Sequence, residues 1–232
     1  MICKICHGKE FILTSTGNEQ VYAPCKCRVD KDVKNINKNK LILAGIPKTY
    51  WDFTPESYKT IPFDPNILKI NNKTTAILNG YIENSKKYMD IAPKVIWIYG
   101  KGVKAGRTAW AILLGKELIS NSAHKVKFIV MQDLVTAFTN FDDKKIYFED
   151  LNRNNIFIID NAFNDNRFYI KGDYVKINLY NWLNTILNEG KFLICTSDKS
   201  VLAIENTYSE CKSVLVRDLK ELELKGISCA SK

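Results

Sequence analysis

Four cysteines near the start of the chain have the spacing of metal ligands. Cys3-x2-Cys6 forms one pair, Cys25-x-Cys27 forms a second, and His7 follows the first pair directly. Four thiolates suit a tetrahedral structural Zn²⁺ ion, although the second pair is closer than the usual spacing. The pattern predicts Zn²⁺ held by the four sulfurs, with His7 as an alternative to one of them. Free thiols or a redox pair are the competing interpretation.

A glycine-containing loop, residues 100–108 (GKGVKAGRT), follows an apolar stretch and opens a helical one. In that context backbone N–H groups can surround phosphates at a helix N-terminus. The loop departs from the P-loop pattern G-x4-G-K-[ST], because Gly100 to Gly106 is one residue too long and Gly102 to Gly106 one too short. Arg107 takes the lysine position, and its wide guanidinium cannot replace a compact ammonium without a shift. The loop predicts weak nucleotide binding, and a purely structural turn is the alternative.

Polar residues end two further apolar stretches. Asp160 ends one of them and is placed to hold Mg²⁺ together with the Thr108 hydroxyl. Asn161 follows where an ATPase of this kind has a second acid, and an amide cannot accept a proton at neutral pH. Because a positioned base contributes about 10²–10⁴ in rate, we expect hydrolysis to be slow or absent. Asp198, after the second stretch, either lies near a γ-phosphate or caps a helix.

No residue is assigned as catalytic. The candidate nucleotide-binding residues are Gly100, Gly102, Lys104, Gly106, Arg107, Thr108, Asp160, Asn161, Ser197 and Asp198.

These residues need a scaffold that brings strand ends together, and the hydrophobic pattern predicts one. Short apolar strands alternate with helical segments, which indicates βαβ units and a parallel sheet sandwiched by helices. Strands are predicted at 94–99, 126–131, 155–160 and 191–196, and helices at 32–44, 65–89, 107–120, 132–140 and 174–189.

Composition limits the class of protein. The 232 residues include 46% hydrophobic and 25% charged residues, which is typical of a globular chain. The apolar runs are too short to span a bilayer, and the first residues lack the apolar region of a signal peptide, so we expect a cytoplasmic protein without a membrane partner. The net charge of +9 favours polyanionic partners, although a solvated lysine-rich surface is equally compatible with it.

The predicted organisation has three parts: a zinc-binding module and helix at 1–45, a linker at 46–65, and an α/β domain at 66–232. Four prolines within 46–65 define the linker (Pro47, Pro55, Pro62 and Pro65). Its aromatic residues either stack on bases or pack onto the α/β domain.

Taken in order, these features resemble the DnaC/DnaI-type replicative helicase loaders in their shorter, zinc-headed bacteriophage form. The resemblance rests on the cysteine pairs, on residues 44–50 (AGIPKTY), on residues 97–100 leading into 106–108, on residues 158–163 (IIDNAF) and on residues 196–198 (TSD). It implies an AAA+ P-loop fold in which residues 106–108 end Walker A, Asp160 and Asn161 form Walker B, and Ser197 and Asp198 form sensor I. The departures at Arg107, Asn161 and Asp198, together with the absence of Arg from 174–189, put ATP hydrolysis in doubt.

The resemblance implies a DNA replication protein that binds a DnaB-type helicase and single-stranded DNA, self-associates, and takes Zn²⁺ and weakly bound ATP or ADP with Mg²⁺. An alternative is a catalytically inactive interaction protein that captures a host helicase loader or helicase and inhibits or redirects replication. The chain has about 34 residues after sensor I, so we expect little room for a helical lid.

Overall fold

The structure is a computed structural model that describes residues 3–7, 9, 11–16, 19–61, 63–87, 90, 92–102, 104–121, 124–139, 144–164, 173–204 and 208–227. The chain divides into two compact units, Met1–Leu43 and Ala44–Lys232. Among the described residues, none of the helices combines the length and the apolar character that crossing a bilayer requires.

The first unit consists of a hairpin and one helix. Strands β1 (Phe11–Thr16) and β2 (Glu19–Pro24) pair in antiparallel register, with Phe11 opposite Pro24. Helix α1 (Lys26–Leu43) follows at once, so Cys25 and Cys27 lie where β2 passes into α1. The helix begins six residues earlier than predicted (26 against 32), because its first turns carry no apolar periodicity.

The second unit is a five-stranded parallel sheet in the order β4-β5-β6-β3-β7, which confirms the predicted α/β class. Its elements are α2 (Pro55–Lys59), α3 (Pro65–Glu83), β3 (Val95–Tyr99), α4 (Arg107–Asn121), β4 (Val126–Val130), α5 (Met131–Thr139), α6 (Lys144–Asn152), β5 (Ile156–Asp160), α7 (Asp173–Asn188), β6 (Phe192–Ser197), α8 (Ser209–Leu215) and β7 (Leu219–Glu223). Short 3₁₀ turns lie at 48–50, 85–87, 201–203 and 216–218.

The central strands are buried on both faces. Val95 and Trp97 belong to the core that also contains residues of α5, α7 and α8, while Ile96 and Ile98 point to the opposite face of the sheet and are equally buried. A Cβ at Gly115 of α4 would overlap the Ile158 side chain, so this glycine lets α4 pack close to the sheet.

The predicted strands and the three predicted helices after residue 100 agree with the structure within one residue at each described end. Helix α3 ends at Glu83, earlier than the predicted 89, because Asn84 caps it and a 3₁₀ turn follows; residues 88 and 89 lie outside the described residues. The prediction missed β7. Only Leu222 of this edge strand is buried, and its alternating charges lack the apolar character of the other strands.

The segment predicted as a linker packs within the second unit. Thr54 caps α2 through a capping box, and Tyr58 of α2 is buried. The Lys116 ammonium donates hydrogen bonds to the carbonyl oxygens of Tyr50, Trp51 and Phe53 at 2.5–3.3 Å. Among the aromatic residues of this segment, Tyr58 therefore packs within the second unit.

Candidate functional site

Four residues of the loop between β3 and α4 have positive φ. They are Gly100, Gly102, Lys104 and Gly106. A Cβ at Gly106 would lie 2.6 Å from the Tyr58 ring, and only glycine fits there. The loop thus delivers the N–H groups at the start of α4 to the carboxyl edge of the sheet, where an anion is favoured.

Asp160 is the centre of the polar network at this edge. Its Oδ1 accepts hydrogen bonds from Thr108 Oγ1 at 2.7 Å and from Thr196 Oγ1 at 2.5 Å, and the residue is 8% exposed. The predicted pair of Thr108 and Asp160 is therefore in direct contact. A P-loop Thr and a Walker B Asp in this relation are the groups that hold Mg²⁺ in such proteins.

Asn161 is held from three sides. Its Nδ2 donates to Asp160 Oδ2 at 3.4 Å, its Oδ1 accepts from Asn164 Nδ2 at 3.2 Å, and its backbone N–H donates to Thr196 Oγ1 at 3.1 Å. The residue also has φ +57°, a conformation that Asn tolerates better than most residues. Its amide cannot accept a proton, so position 161 provides no acid to activate water.

Asn164 is a site residue that the sequence did not suggest. Its Oδ1 accepts a hydrogen bond from the Asp198 backbone N–H at 3.0 Å. The single Ser197 hydroxyl proton is shared between the Ala162 carbonyl at 2.7 Å and Asn164 Oδ1 at 3.1 Å. Ser197 is buried, and these contacts direct its hydroxyl into the protein. Asn164 therefore ties the end of β5 to the end of β6, and nothing in its sequence position signals this.

Among the described residues at this edge of the sheet, two buried polar atoms have no hydrogen-bond partner. They are Arg107 Nη1 and Asp198 Oδ1. Burial lowers the pKa of Arg107, while the carboxylates of Asp198 and Asp160 act in the opposite direction. Because unpaired buried polar atoms are costly, both are groups that a ligand or water can satisfy.

The backbone of the segment after β7 packs against the start of the loop. The Leu224 N–H donates to the Tyr99 carbonyl at 2.7 Å, and the Gly226 N–H donates to the Lys101 carbonyl at 2.8 Å. A Cβ at Gly100 would overlap the Leu224 carbonyl, and one at Gly102 would lie 2.8 Å from the Gly226 carbonyl carbon. Gly100 and Gly102 therefore have a packing reason to be glycine that is independent of phosphate.

We expect Gly100→Ala to destabilise the protein by about 2–4 kcal/mol, since it adds a backbone clash to a strained φ. Urea unfolding measures the loss. Gly80→Ala is the matched control, because a Cβ there meets no atom within 4 Å and alanine replaces glycine inside α3, where a gain of about 1 kcal/mol is expected. Equal stabilities for the two variants would show that residues 224–226 do not hold the loop.

A cleft of about 1030 Å³ opens beside the loop. It is lined by Ile67, Tyr99, Gly100, Lys101, Gly102, Asp198, Lys199, Ser200, Ala203, Glu223, Lys225 and Gly226. Three of the predicted nucleotide-site residues thus face a space large enough for a nucleotide-sized ligand, while Lys104 is exposed to solvent.

The four cysteines of the first unit form a second site. The sulfurs of Cys3, Cys6, Cys25 and Cys27 all lie within 4.8 Å of one another, with 3.9 Å between Cys3 and Cys25 and 3.4 Å between Cys6 and Cys27. Tetrahedral coordination with metal–sulfur bonds of about 2.3 Å places sulfurs roughly 3.8 Å apart, so the cluster fits a metal ion. His7 is exposed and is not part of the cluster.

The backbone and the neighbouring thiols set the protonation of this cluster. Backbone N–H groups of Cys6 and Ile5 lower the pKa of Cys3 to about 6. The Cys6 side chain, followed by burial, raises the pKa of Cys27 to about 12. Adjacent thiolates repel one another without a cation, and a bound metal cation reverses this effect by stabilising all four.

No protein-family model and no curated protein matches the chain. Several solved structures match the chain. The DnaC helicase loader aligns with 77% of this chain and 100% of its own length at a TM-score of 0.58 and 16% identity. DnaI aligns with 78% of this chain and 93% of its own at 0.51 and 11%. The replication initiator DnaA bound to AMPPCP and single-stranded DNA aligns with 75% of this chain and 51% of its own at 0.54 and 17%.

The chain has the DnaC/DnaI-type AAA+ fold. The predicted resemblance is confirmed at the level of the fold, and the chain spans about half the length of the replication initiators that it matches. In this AAA+ fold the structure brings together Gly106, Arg107, Thr108, Asp160, Asn161, Ser197 and Asp198. Thr196, Asn164 and Tyr58 contact this group and were not among the candidate site residues of the sequence analysis.

Proposed function

We propose that this protein acts in DNA replication as a helicase-loader-like AAA+ protein of bacteriophage type. It binds a DnaB-type helicase and single-stranded DNA in the cytoplasm, self-associates, and uses ATP or ADP with Mg²⁺ as a weak ligand rather than as a fuel. Its first unit carries structural Zn²⁺ on Cys3, Cys6, Cys25 and Cys27.

The partners are proposed from the likeness to the DnaC helicase loader and to DnaA bound to single-stranded DNA, and one observation carries the nucleotide part. Thr108 and Asp160 form the contact needed to hold Mg²⁺, whereas the amide of Asn161 lies between Asp160 and Asn164 at the place of the missing acid. A site of this kind keeps the groups that bind a metal–nucleotide complex and lacks the group that activates water. The unpaired Nη1 of Arg107 is available to a phosphate oxygen.

A second candidate function has its own supporting observation. Residues 224–226 hold the start of the loop through backbone hydrogen bonds. A loop start positioned by the protein's own backbone needs no nucleotide there, which favours an inactive interaction protein that captures a host helicase loader or helicase. If added nucleotide leaves the affinity of the chain for the host helicase loader and for the helicase unchanged, the second function is favoured over the first.

The proposed function predicts binding of labelled oligo(dT) and of a purified DnaB-type helicase by the full chain. We expect the affinity for oligo(dT) to fall steeply between low and physiological salt, because neutralised phosphates release counterions. Fluorescence anisotropy measures the first interaction and size-exclusion chromatography with light scattering the second. If the full chain does not bind the helicase, or does not bind oligo(dT), that part of the proposal is refuted.

A further inference from the structure

Apolar side chains lie exposed around the four-cysteine cluster. Ile5, between the first two cysteines, is 64% exposed, and Phe11 of β1 is 41% exposed. Phe11 pairs across the hairpin with Pro24, the residue before Cys25. The Arg28 guanidinium lies 4.4 Å from the centroid of the Phe11 ring. A small unit thus presents an aromatic ring and a stacked guanidinium beside a cluster that fits a metal ion.

Basic residues outnumber acidic ones in this part of the chain, since residues 1–40 hold eight Lys or Arg and four Asp or Glu. The basic side chains that the structure describes in the first unit are Lys4, Lys9, Lys26, Arg28, Lys38 and Lys40. Lys4 and Lys26 each lie between two cysteines in sequence, and the Lys9 backbone N–H donates to the Cys6 carbonyl at 2.9 Å. Because the four sulfurs lie within 4.8 Å of one another, these lysines are held close to the cluster.

We infer that these residues form a contact surface for single-stranded DNA. The Phe11 surface consists of Ile5, Phe11 and Arg28 with the three lysines at positions 4, 9 and 26. Its ring offers a stacking partner for a base, its guanidinium adds a cation–π partner, and its lysines neutralise phosphates. An acidic protein face would need the cations alone, whereas an exposed ring paired with Arg suits unstacked bases. This inference rests on the proposed function, since it assigns the single-stranded DNA contact to the first unit.

The test uses the full chain with its metal and labelled oligo(dT) in fluorescence anisotropy. Phe11→Leu keeps an apolar side chain and removes the aromatic face, and Arg28→Gln removes one cation. Leu68→Ala is the matched control for exposure, since Leu68 is 43% exposed in the second unit, and Lys69→Gln is the control for charge. Metal stoichiometry and circular dichroism are measured for every variant.

We expect Phe11→Leu to weaken oligo(dT) binding at least about fivefold, the lower end of the cost of losing one stacking partner. Arg28→Gln should reduce the slope of log affinity against log salt by about one if it also contacts a phosphate. Both controls should bind as the natural protein does.

Unchanged affinity in Phe11→Leu with its metal retained would overturn the assignment. If that variant loses its metal, Arg28→Gln decides, and an unchanged affinity and salt slope would overturn it. If the variants lose helicase binding but keep oligo(dT) binding, the surface is a protein interface instead, and the assignment is overturned.

Absence of oligo(dT) binding by the natural protein would refute the single-stranded DNA part of the proposed function itself, whereas binding that survives both variants refutes this assignment alone.

Discussion

Replacing Cys25 by serine is expected to abolish stoichiometric zinc binding and to unfold the first unit while the AAA+ unit stays folded. Cys25 is a fully buried member of the cluster and lies in the chain between β2 and α1. Structural zinc contributes about 10–16 kcal/mol of apparent binding free energy in small zinc-finger peptides, and this energy is coupled to folding. A unit this small has little other core to compensate for its loss.

Elemental analysis measures the zinc, and hydrogen exchange separates the two units. Cys229→Ser is the control, because the sequence places Cys229 far from both cysteine pairs. Natural protein that is purified without chelator and carries no metal would contradict the expectation, as would a Cys25→Ser variant with a full complement of zinc. Chelation should act like the substitution, and falling pH should release the ion as the thiolates protonate.

The second large effect concerns catalysis. Asn161→Glu alone is expected to leave ATP hydrolysis negligible, because the new carboxylate loses the 3.4 Å hydrogen bond to Asp160 and meets that residue's negative charge. Combining it with Arg107→Lys restores a compact ammonium beside the phosphate position as well. We expect the double variant to exceed the sum of the two single effects, since groups that act as a unit are strongly non-additive. The gain should reach about 10²–10⁴, the contribution of a positioned base.

Steady-state ATPase assays measure the gain, with calorimetry for binding. Asp160→Asn added to the double variant is the control, and it should remove the gain because it takes away the carboxylate that we propose as the Mg²⁺ ligand. Full activity in Asn161→Glu alone would show that the loop and Arg107 are already competent. No gain in the double variant would show that the defect lies elsewhere in the loop.

The convergence of the site was predictable because the carboxyl ends of parallel strands meet at one edge of a sheet. That rule places the residues that end or follow β3, β5 and β6, among them Thr108, Asp160 and Ser197, at the same edge of the sheet. The cysteine cluster was predictable for a similar reason, since two pairs on either side of a hairpin return to the same point.

The contacts that decide the chemistry were not predictable, because they depend on backbone conformations and on distant segments. Asn164 reaches Ser197 and Asp198 after a turn in which Asn161 and Phe163 both have positive φ. Such a turn has no hydrophobic period to signal it. Residues 224–226 contact Gly100 and Gly102 from more than 120 residues away in the chain. No local pattern in the sequence encodes that contact.

The central claim is that this AAA+ unit binds nucleotide without consuming it. The most direct measurement is ATP turnover by the natural protein with a DnaB-type helicase and single-stranded DNA both present, together with calorimetry of ATP binding in Mg²⁺. The account predicts weak, Mg²⁺-dependent binding and no turnover attributable to this chain. Turnover near 1 s⁻¹ that Asp160→Asn abolishes, at about the low end of typical enzyme rates, would contradict it.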